Sequence, residues 1–239
     1  VMFYPILMQK IVSTRLDHVI TVSEDSRKRI NEAFGVPLER QTVVYNGLDT
    51  AVFSTREGVS KKKGKMIFVG NVEDGKKGFV YLLRALKHVN SDVYLTIIDG
   101  GAPHRKVTAQ LIQKLGIEDR VEFAGKVDTE GLIQHYCESE LAIVPSVYEG
   151  FGFPAAEAMA CEVPVIASDG GALPEVVGDA GIVVPARDEN ALARAIDRAF
   201  SDSDALYRMG REGRERVLQM FNWDNAASQM LSVFEKIIS

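Results

Sequence analysis

Short apolar segments rich in β-branched residues alternate along the chain with longer segments of helical periodicity. Eight of the short segments are predicted to be β-strands: residues 18–22, 42–45, 66–70, 93–98, 121–124, 141–145, 164–167 and 182–184. Several of them are apolar at consecutive positions, which is typical of strands covered on both faces of a parallel sheet. The pattern therefore predicts an α/β fold, a Rossmann-like, doubly wound parallel sheet with crossover helices.

The distribution of the strands predicts how the chain is divided. Residues 66 to about 200 contain six strands, whereas residues 1–50 contain only two, too few for a core of their own. Residues 51–65 are poor in apolar side chains and carry a lysine run, which favours a solvated linker over a binding patch. We predict a partial N-terminal segment at 1–50, a Rossmann-like domain at 66–220 and a closing helix at 221–239. An apolar stripe is expected to pack this helix on the body: Met230, Leu231, Phe234 and Ile237.

Composition and charge narrow the class of protein. Of the 239 residues, 46% are hydrophobic and 26% are charged, as in ordinary soluble domains. The net charge of −5 lacks the positive field that nucleic-acid binding usually needs, so no nucleic-acid partner is expected. Cys137 and Cys161 form no CxxC pair and are interpreted as buried free thiols. The lack of an export signal or spanning segment predicts a cytoplasmic protein, and the initial Val1 predicts a fragment.

The most informative segment is residues 144–161, VPSVYEGFGFPAAEAMAC. A strand is predicted to end near Pro145, before a loop that contains Glu149. A helix is then predicted to begin at Pro154, with Glu157 in its first turn. Both carboxylates would lie at the carboxyl end of a strand, the edge where open α/β sheets bind their ligands.

The chemistry of this segment suits a nucleotide diphosphate that carries hydroxyl groups. Gly150 and Gly152 let the backbone approach a ligand closely, and the free N–H groups of a helix N-terminus attract an anion. An ionised carboxylate accepts two hydroxyl hydrogen bonds. The loop after strand 66–70 adds Lys77 beside Gly78, which places an ammonium group against phosphate oxygens. Each feature alone also suits a solvated loop or a helix terminus, but their combination favours a binding site.

Several short strings occur in the order and spacing of a known family: YNGLD at 45–49, FVG at 68–70 with KG at 77–78, GKV at 125–127, PS at 145–146, EGFGFP at 149–154, EAMA at 157–160, PVIAS at 164–168 and GGALPE at 170–175. They resemble the retaining GT-B glycosyltransferases of the group 1 (family four) type. The resemblance covers nearly all of residues 10–200. It implies the end of an N-terminal acceptor domain followed by the whole C-terminal, nucleotide-sugar-binding domain.

The resemblance also implies a role for each site residue. Glu157 would bind the ribose hydroxyls, Glu149 would lie beside the anomeric carbon of the donor sugar, and Lys77 would neutralise the diphosphate leaving group without a metal or a cofactor. Of these, Glu149 and Lys77 would be catalytic. Further contacts with the donor would come from Gly70, Asn71, Lys126, Val127, Gly150, Phe151, Gly152 and Phe153, with Lys126 and Val127 framing the base.

The implied function is transfer of a sugar from a UDP- or GDP-type donor to a glycan, lipid or small-molecule acceptor. Two alternatives stay open: a nucleotide-sugar-binding module that does not catalyse, and a nucleotide-sugar epimerase of related architecture. Peripheral membrane contact through the missing N-terminal half also stays open. Asp202-Ser203-Asp204 matches a metal-binding DxD signature, but its place between two predicted helices argues against a metal site.

The sequence departs from the family pattern at three places. Asn71 stands where the family usually has Arg, so one cationic phosphate clamp is missing. Lys76 is a candidate substitute, although a point charge does not reproduce a guanidinium fork. Cys161-Glu162 replaces the common Gly after EAMA, and Asp99-Gly100-Gly101 replaces the usual glycine pattern. We interpret the last two departures as surface or turn variation, and His104, which follows, as a solvated loop residue.

Overall fold

The computed structural model describes residues 3–13, 15–100 and 106–238, so His104 lies outside the described residues. Within these ranges the strands are β1 (Val19–Thr21), β2 (Gln41–Val43), β3 (Lys65–Val69), β4 (Tyr94–Ile98), β5 (Val121–Phe123), β6 (Leu141–Val144), β7 (Val165–Ser168) and β8 (Ile182–Val184). All eight strands predicted from the sequence are confirmed, with ends that agree to within two residues.

The helices described are α1 (Phe3–Ser13), α2 (Glu24–Phe34), α3 (Phe79–His88), α4 (Lys106–Leu115), α5 (Thr129–Glu138), α6 (Phe153–Ala160), α7 (Leu173–Val177), α8 (Glu189–Phe200), α9 (Ser203–Met220) and α10 (Trp223–Ile238). From β3 to β8 a helix lies between successive strands, as parallel pairing requires of its crossover connections. Short 3₁₀ turns supplement them, including one at Gly75–Lys77.

Strands β3 to β8 form one parallel sheet in the spatial order β5-β4-β3-β6-β7-β8. The first strand of this sheet in the sequence, β3, lies in its middle. The chain continues outward through β4 to β5, crosses back to β6 on the other side of β3, and continues outward through β7 to β8. The order therefore reverses between β3 and β6, and open α/β sheets bind ligands at such a reversal, beyond the carboxyl ends of the strands. The predicted α/β, doubly wound fold is confirmed.

Two apolar clusters fill the space between the sheet and its helices. One joins α3 and α8 to the sheet, and the other joins α5, α6 and α7 to it. The apolar positions predicted for α3 and α8 are all buried: Phe79, Leu82, Leu83, Leu86, Leu192, Ala195, Ile196 and Ala199. Because burial of one large aliphatic side chain contributes about 1.5–3 kcal/mol, these helices hold the sheet as a rigid platform for its loops.

Glu175, in α7, ties the N-terminal segment to the main domain. Its carboxylate accepts hydrogen bonds from the backbone N–H groups of Glu24 and Asp25 at 2.8 and 2.9 Å, in the first turn of α2, where negative charge is favourable. The Tyr45 hydroxyl donates to the same carboxylate at 3.1 Å. Burial, with the charge of Glu175, raises the pKa of Tyr45 to about 12. The parallel pair β1 and β2 is thereby anchored although it has no large core of its own.

The variant Glu175→Ala is expected to lower the free energy of unfolding by about 2 kcal/mol, because three donors lose a charged acceptor. Hydrogen exchange of the α2 amides, together with urea denaturation, measures the effect. Glu32→Ala, on an exposed position of the same helix, is the matched control. Unchanged protection of α2 in Glu175→Ala would contradict the anchoring role.

The stretch 51–65 contacts the end of α5 through its lysines. Lys61 Nζ donates to the Ser139 carbonyl at 2.9 Å. Lys62 and the buried Lys65 both pair with Glu138, at 2.8 and 2.7 Å. Burial raises the pKa of Glu138, but the bonds from Lys62 and Lys65 outweigh this effect and lower the pKa to about 2. Lys61, Lys62 and Lys63 are exposed, as predicted for a solvated connector, whereas the prediction is wrong for Lys65, which is buried against a carboxylate 73 positions along the chain.

The closing helix α10 is present, but its predicted packing face is wrong. Leu231, Phe234 and Ile237 are 61%, 49% and 46% exposed, whereas Ala226 and Val233 are buried. The core instead receives Phe221, just before α10: its ring packs edge-on against Tyr45 and Phe151, each at 5.4 Å between centroids. None of the helices in the described ranges is both long and apolar enough to cross a membrane.

Candidate active site

The loops that follow β3 and β6 meet at the reversal of the sheet. Lys77, from the first loop, donates from Nζ to Glu149 Oε1 in the second loop at 2.7 Å. The Ser146 hydroxyl donates to the same oxygen at 2.8 Å. The side chains of Lys77 and Glu149 are 24% and 12% exposed, so the ion pair is largely shielded from solvent. The topology thus brings together two residues that the sequence analysis had linked only through resemblance.

The 3₁₀ turn Gly75–Lys77 gives Lys77 its position. Asp74 caps the turn by accepting from the Lys76 N–H at 2.9 Å. The Lys76 carbonyl accepts from the Val147 N–H at 2.7 Å, which binds the first loop directly to the second. The next residue, Gly78, has φ +66°, and a Cβ there would lie 1.9 Å from the Pro145 carbonyl oxygen. Only glycine allows the two loops to approach this closely.

The paired glycines after β7 support the Glu149 loop from behind. The Glu149 carbonyl accepts from the Ala172 N–H at 2.9 Å. A Cβ on Gly171, which has φ +66°, would lie 2.2 Å from that carbonyl oxygen. A Cβ on Gly170 would meet the Ser146 carbonyl at 2.2 Å. The sequence analysis assigned no role to these glycines, although two adjacent glycines directly after a strand signal a close backbone approach.

Glu157 lies in the second turn of α6 and not in the first, which corrects the sequence prediction. The helix begins at Phe153, one residue before Pro154, and is preceded by Gly152. The Tyr136 hydroxyl donates to Glu157 Oε2 at 3.0 Å. Burial raises the pKa of Glu157, while the bond from Tyr136 and the positive charge of Lys77 oppose this shift. The two carboxylates therefore both lie within the electrostatic reach of the Lys77 ammonium.

Some residues of the glycine-rich loop 149–154 are open to a ligand, whereas others are packed against the body of the protein. No atom lies within 4 Å of a Cβ built on Gly150, so the backbone there faces open space. On Gly152 a Cβ would lie 2.7 Å from Leu173 Cδ2, so this glycine serves packing. The Phe151 side chain is buried against Phe221, whereas Phe153 is exposed. Of this loop, the backbone at Gly150 and the ring of Phe153 are the groups most open to a ligand.

The other predicted contact residues lie at the same edge of the sheet. Gly70 directly follows β3, and a Cβ there would lie 3.5 Å from Lys77 Cδ. Lys126 is exposed and Val127 half-buried in the loop after β5. Because β4 lies between β5 and β3, this loop is about two strand spacings, roughly 10 Å, from Lys77. Gly70 therefore adjoins the Lys77–Glu149 pair, and the two residues predicted to frame the base stand apart from it.

The departures from the family pattern have structural explanations. The Asn71 side chain accepts from the Glu73 N–H at 3.0 Å, so it shapes the start of the loop. Glu162, at a position where the family commonly has Gly, takes φ +55°, a left-handed conformation that side chains disfavour. Asp99 is buried at the end of β4. Cys161-Glu162 and Gly100 lie in turns, as the interpretation of turn variation predicts, although Cys161 and Asp99 are buried rather than on the surface.

The DxD string has a structural role. The Asp202 side chain caps α9 by accepting from the Ala205 N–H at 2.9 Å. Across the three described ranges, no group of three or more His, Cys, Asp or Glu side chains is arranged to hold a metal ion.

Two family profiles match the chain. The profile of glycosyl transferases group 1 matches residues 50–216, and that of glycosyltransferase family 4 matches residues 3–52. The first of these covers most of the chain.

The chain is also similar to individual proteins. The MMP alpha-(1->4)-mannosyltransferase of Mycolicibacterium hassiacum is 37% identical over 97% of this chain and 57% of that protein. The O-antigen chain mannosyltransferase B of Escherichia coli is 30% identical over 95% of this chain and 64% of that protein. The structure of sucrose-phosphate synthase from Thermosynechococcus elongatus has a TM-score of 0.87 at 29% identity, over 98% of this chain and 61% of that one. The chain thus spans less than two thirds of the length of these relatives, and it belongs to the group 1 glycosyltransferase family with the GT-B fold.

Proposed function

We propose that this chain binds a nucleotide-diphosphate sugar of the UDP or GDP type and forms the donor half of a retaining glycosyltransferase. One observation carries the proposal: Lys77 Nζ lies 2.7 Å from Glu149, and its charge also acts on Glu157, at the reversal of the sheet. A cation that pairs with one carboxylate and acts electrostatically on a second is suited to a ligand that combines a diphosphate with sugar hydroxyls.

Lys77 is the group that neutralises the diphosphate. An ammonium group has three N–H donors, and one of them is directed to Glu149. The other two are available for phosphate oxygens, so Lys77 holds Glu149 and the leaving group at the same time. In this proposal the charge on the leaving group is neutralised by a side chain, and no metal ion or cofactor is required.

Glu149 is the carboxylate beside the donor sugar. Its bonds from Lys77 and Ser146 both end on Oε1, which leaves Oε2 for a sugar hydroxyl or for the positive charge that develops at the anomeric carbon. Glu157 is assigned to the ribose. Its Oε2 accepts from Tyr136, which leaves Oε1 for the ribose hydroxyls.

In the proposed reaction the acceptor oxygen attacks the anomeric carbon on the face from which the diphosphate leaves. The bond from that carbon to the diphosphate oxygen breaks, the new glycosidic bond forms on the same face, and the acceptor proton passes to the departing diphosphate. We assign the acceptor, whether glycan, lipid or small molecule, to the N-terminal domain, of which residues 1–50 are the end. Residues 51–65 connect it to the donor domain at 66–220, and any membrane contact would also be made by the N-terminal domain.

A thermal-shift panel of UDP, GDP, their hexose derivatives and the matching monophosphates tests the proposal. A mannosyl donor is included because two relatives are named mannosyltransferases. A diphosphate at 100 times its Kd is expected to add about 2.7 kcal/mol of stability, an increase in Tm of roughly 5–10 °C. No shift with any nucleoside diphosphate at millimolar concentration would refute donor binding.

Lys77→Ala is expected to weaken diphosphate binding by roughly 10- to 150-fold, because a charge-assisted hydrogen bond of about 1.5–3 kcal/mol is lost. Binding of the monophosphate should change much less, because Lys77 is assigned to the diphosphate and the monophosphate has one phosphate group fewer. The matched control is Lys87→Ala, an exposed lysine of α3 with no assigned role, which should stay within about twofold of the parent chain. Equal losses for both lysine variants would show that Lys77 acts only through general charge. Calorimetry measures the affinities.

A further inference from the structure

Within the described ranges, the Glu157 carboxylate receives one hydrogen bond, from the hydroxyl of Tyr136 in α5. The Tyr136 oxygen lies 3.0 Å from Glu157 Oε2 and 3.3 Å from the Pro154 carbonyl oxygen. A phenol has one proton to donate, and an ionised carboxylate is a stronger acceptor than a neutral carbonyl. The proton therefore goes to Glu157, and the Pro154 carbonyl is the weaker alternative.

The helix that carries Tyr136 is held at both ends. At its start the Asp128 side chain caps the helix by accepting from the Gly131 N–H at 2.8 Å. At its end Glu138 pairs with the buried Lys65 at 2.7 Å. The Tyr136 ring between them is only 1% exposed and belongs to the apolar core. A hydroxyl on a ring that cannot move fixes the position of the oxygen to which it donates.

Packing alone does not require this hydroxyl. Phenylalanine would fill nearly the same volume, whereas a buried hydroxyl costs free energy unless it has a hydrogen-bond partner. Glutamate, in turn, is a flexible side chain, and its ordering during ligand binding reduces affinity unless the order already exists. The bond from Tyr136 orders Glu157 before any ligand arrives. It also occupies Oε2, so that Oε1 is the oxygen left for a ligand.

We propose that Tyr136 is a positioning residue for donor binding. Its hydroxyl holds the Glu157 carboxylate with Oε1 presented to the ribose hydroxyls, and the site thereby selects ribonucleoside diphosphates over forms that lack these hydroxyls. The inference rests on the proposed function, because it takes Glu157 as the group that binds the ribose. Tyr136 is too deeply buried to contact the ligand itself, so it acts only through Glu157.

Calorimetric titration with UDP, GDP and their 2′,3′-dideoxy counterparts tests the proposal. The dideoxy forms keep the base and the diphosphate but lack both ribose hydroxyls. The parent chain is expected to bind the better ribonucleotide about 30-fold more tightly than its dideoxy form. Tyr136→Phe should weaken ribonucleotide binding by about 3- to 10-fold and leave dideoxynucleotide binding within about twofold, so the preference for ribose falls. A purely structural role of the hydroxyl would weaken the binding of both forms equally.

Two further variants make the test specific. Tyr94→Phe, which removes a hydroxyl at the start of β4, is the matched control and should leave the preference for ribose unchanged. In a Glu157→Ala background, Tyr136→Phe should weaken binding no further, because no carboxylate remains to be positioned.

The outcomes separate this inference from the proposed function. If Tyr136→Phe keeps the full preference for ribose, or weakens binding equally in the Glu157→Ala background, then Tyr136 has no positioning role although the chain still binds its donor. If the parent chain binds neither nucleoside diphosphate, then the proposed function is refuted and the role of Tyr136 in it is refuted as well.

Discussion

Replacement of Glu157 by glutamine is expected to weaken nucleoside-diphosphate binding by roughly 30- to 150-fold and to stabilise the folded chain at pH 7. Binding weakens because the ribose hydroxyls lose an ionised acceptor, which costs about 2–3 kcal/mol for two bonds. Stability rises because the glutamine carries no charge that burial would penalise, and its side-chain oxygen still accepts the Tyr136 hydroxyl.

The stabilisation by Glu157→Gln has a definite pH dependence. Burial raises the pKa of Glu157 in the folded chain, so the protonated form is favoured there and ionisation costs stability as the pH rises through that pKa. Below the pKa of the unfolded chain the carboxyl is neutral in both states. The advantage of glutamine should therefore be present at pH 7 and vanish near pH 4.

Urea denaturation at several pH values and calorimetric titration with the best nucleotide measure the two effects of Glu157→Gln. Glu32→Gln, on the exposed face of α2, is the control and should change neither. If Glu157→Gln binds the nucleotide as tightly as the parent chain, then Glu157 is not part of the binding site. If Glu157→Gln is less stable than the parent chain at pH 7, then the negative charge of Glu157 is compensated in the folded chain.

Gly78→Ala is expected to destabilise the fold by about 3 kcal/mol or more. The left-handed φ of +66° costs about 1–2 kcal/mol for alanine, and the new Cβ would lie 1.9 Å from the Pro145 carbonyl oxygen, so one of the two loops must move. That movement displaces Lys77 from Glu149, and nucleotide binding should fall with stability.

Two other glycines separate the contributions to the Gly78 effect. Gly58 has φ +77° and no atom within 4 Å of a built Cβ, so Gly58→Ala shows the cost of conformation alone, about 1–2 kcal/mol. Gly75, in the same turn as Lys77, has neither a positive φ nor a close neighbour, so alanine there should be nearly neutral. If Gly78→Ala costs no more than Gly58→Ala, then the close approach of the two loops is not required.

The strand pattern was readable from the sequence because a doubly covered parallel sheet imposes apolar residues at consecutive positions. The strings around Glu149 and Glu157 were readable for a similar reason, because the end of a strand, a loop and the start of a helix all lie within one continuous segment. The first turn of α6 was misplaced because Pro154 tolerates more than one position in a first turn, and tertiary packing of Gly152 against Leu173 sets where the helix begins.

The packing face of α10 shows a second limit. Its apolar stripe was visible, but periodicity specifies only that a helix has an apolar side and not which surface that side meets. The described body buries Ala226 and Val233, whereas Leu231 and Phe234 stay exposed. Lys65 was misjudged for a related reason: Glu138, which pairs with it, is distant in the sequence.

By itself the sequence determined the fold class, the sheet edge at which the strings around Glu149 and Glu157 lie, and the residue types of the proposed donor site. The tertiary structure decided which distant residues touch: Lys77 with Glu149 across 72 positions, and Glu175 with α2 across 151. The physical reason is the range of the interactions. Burial periodicity and turn chemistry act over a few neighbouring residues, whereas ion pairs and long-range hydrogen bonds depend on the strand order that brings distant loops together.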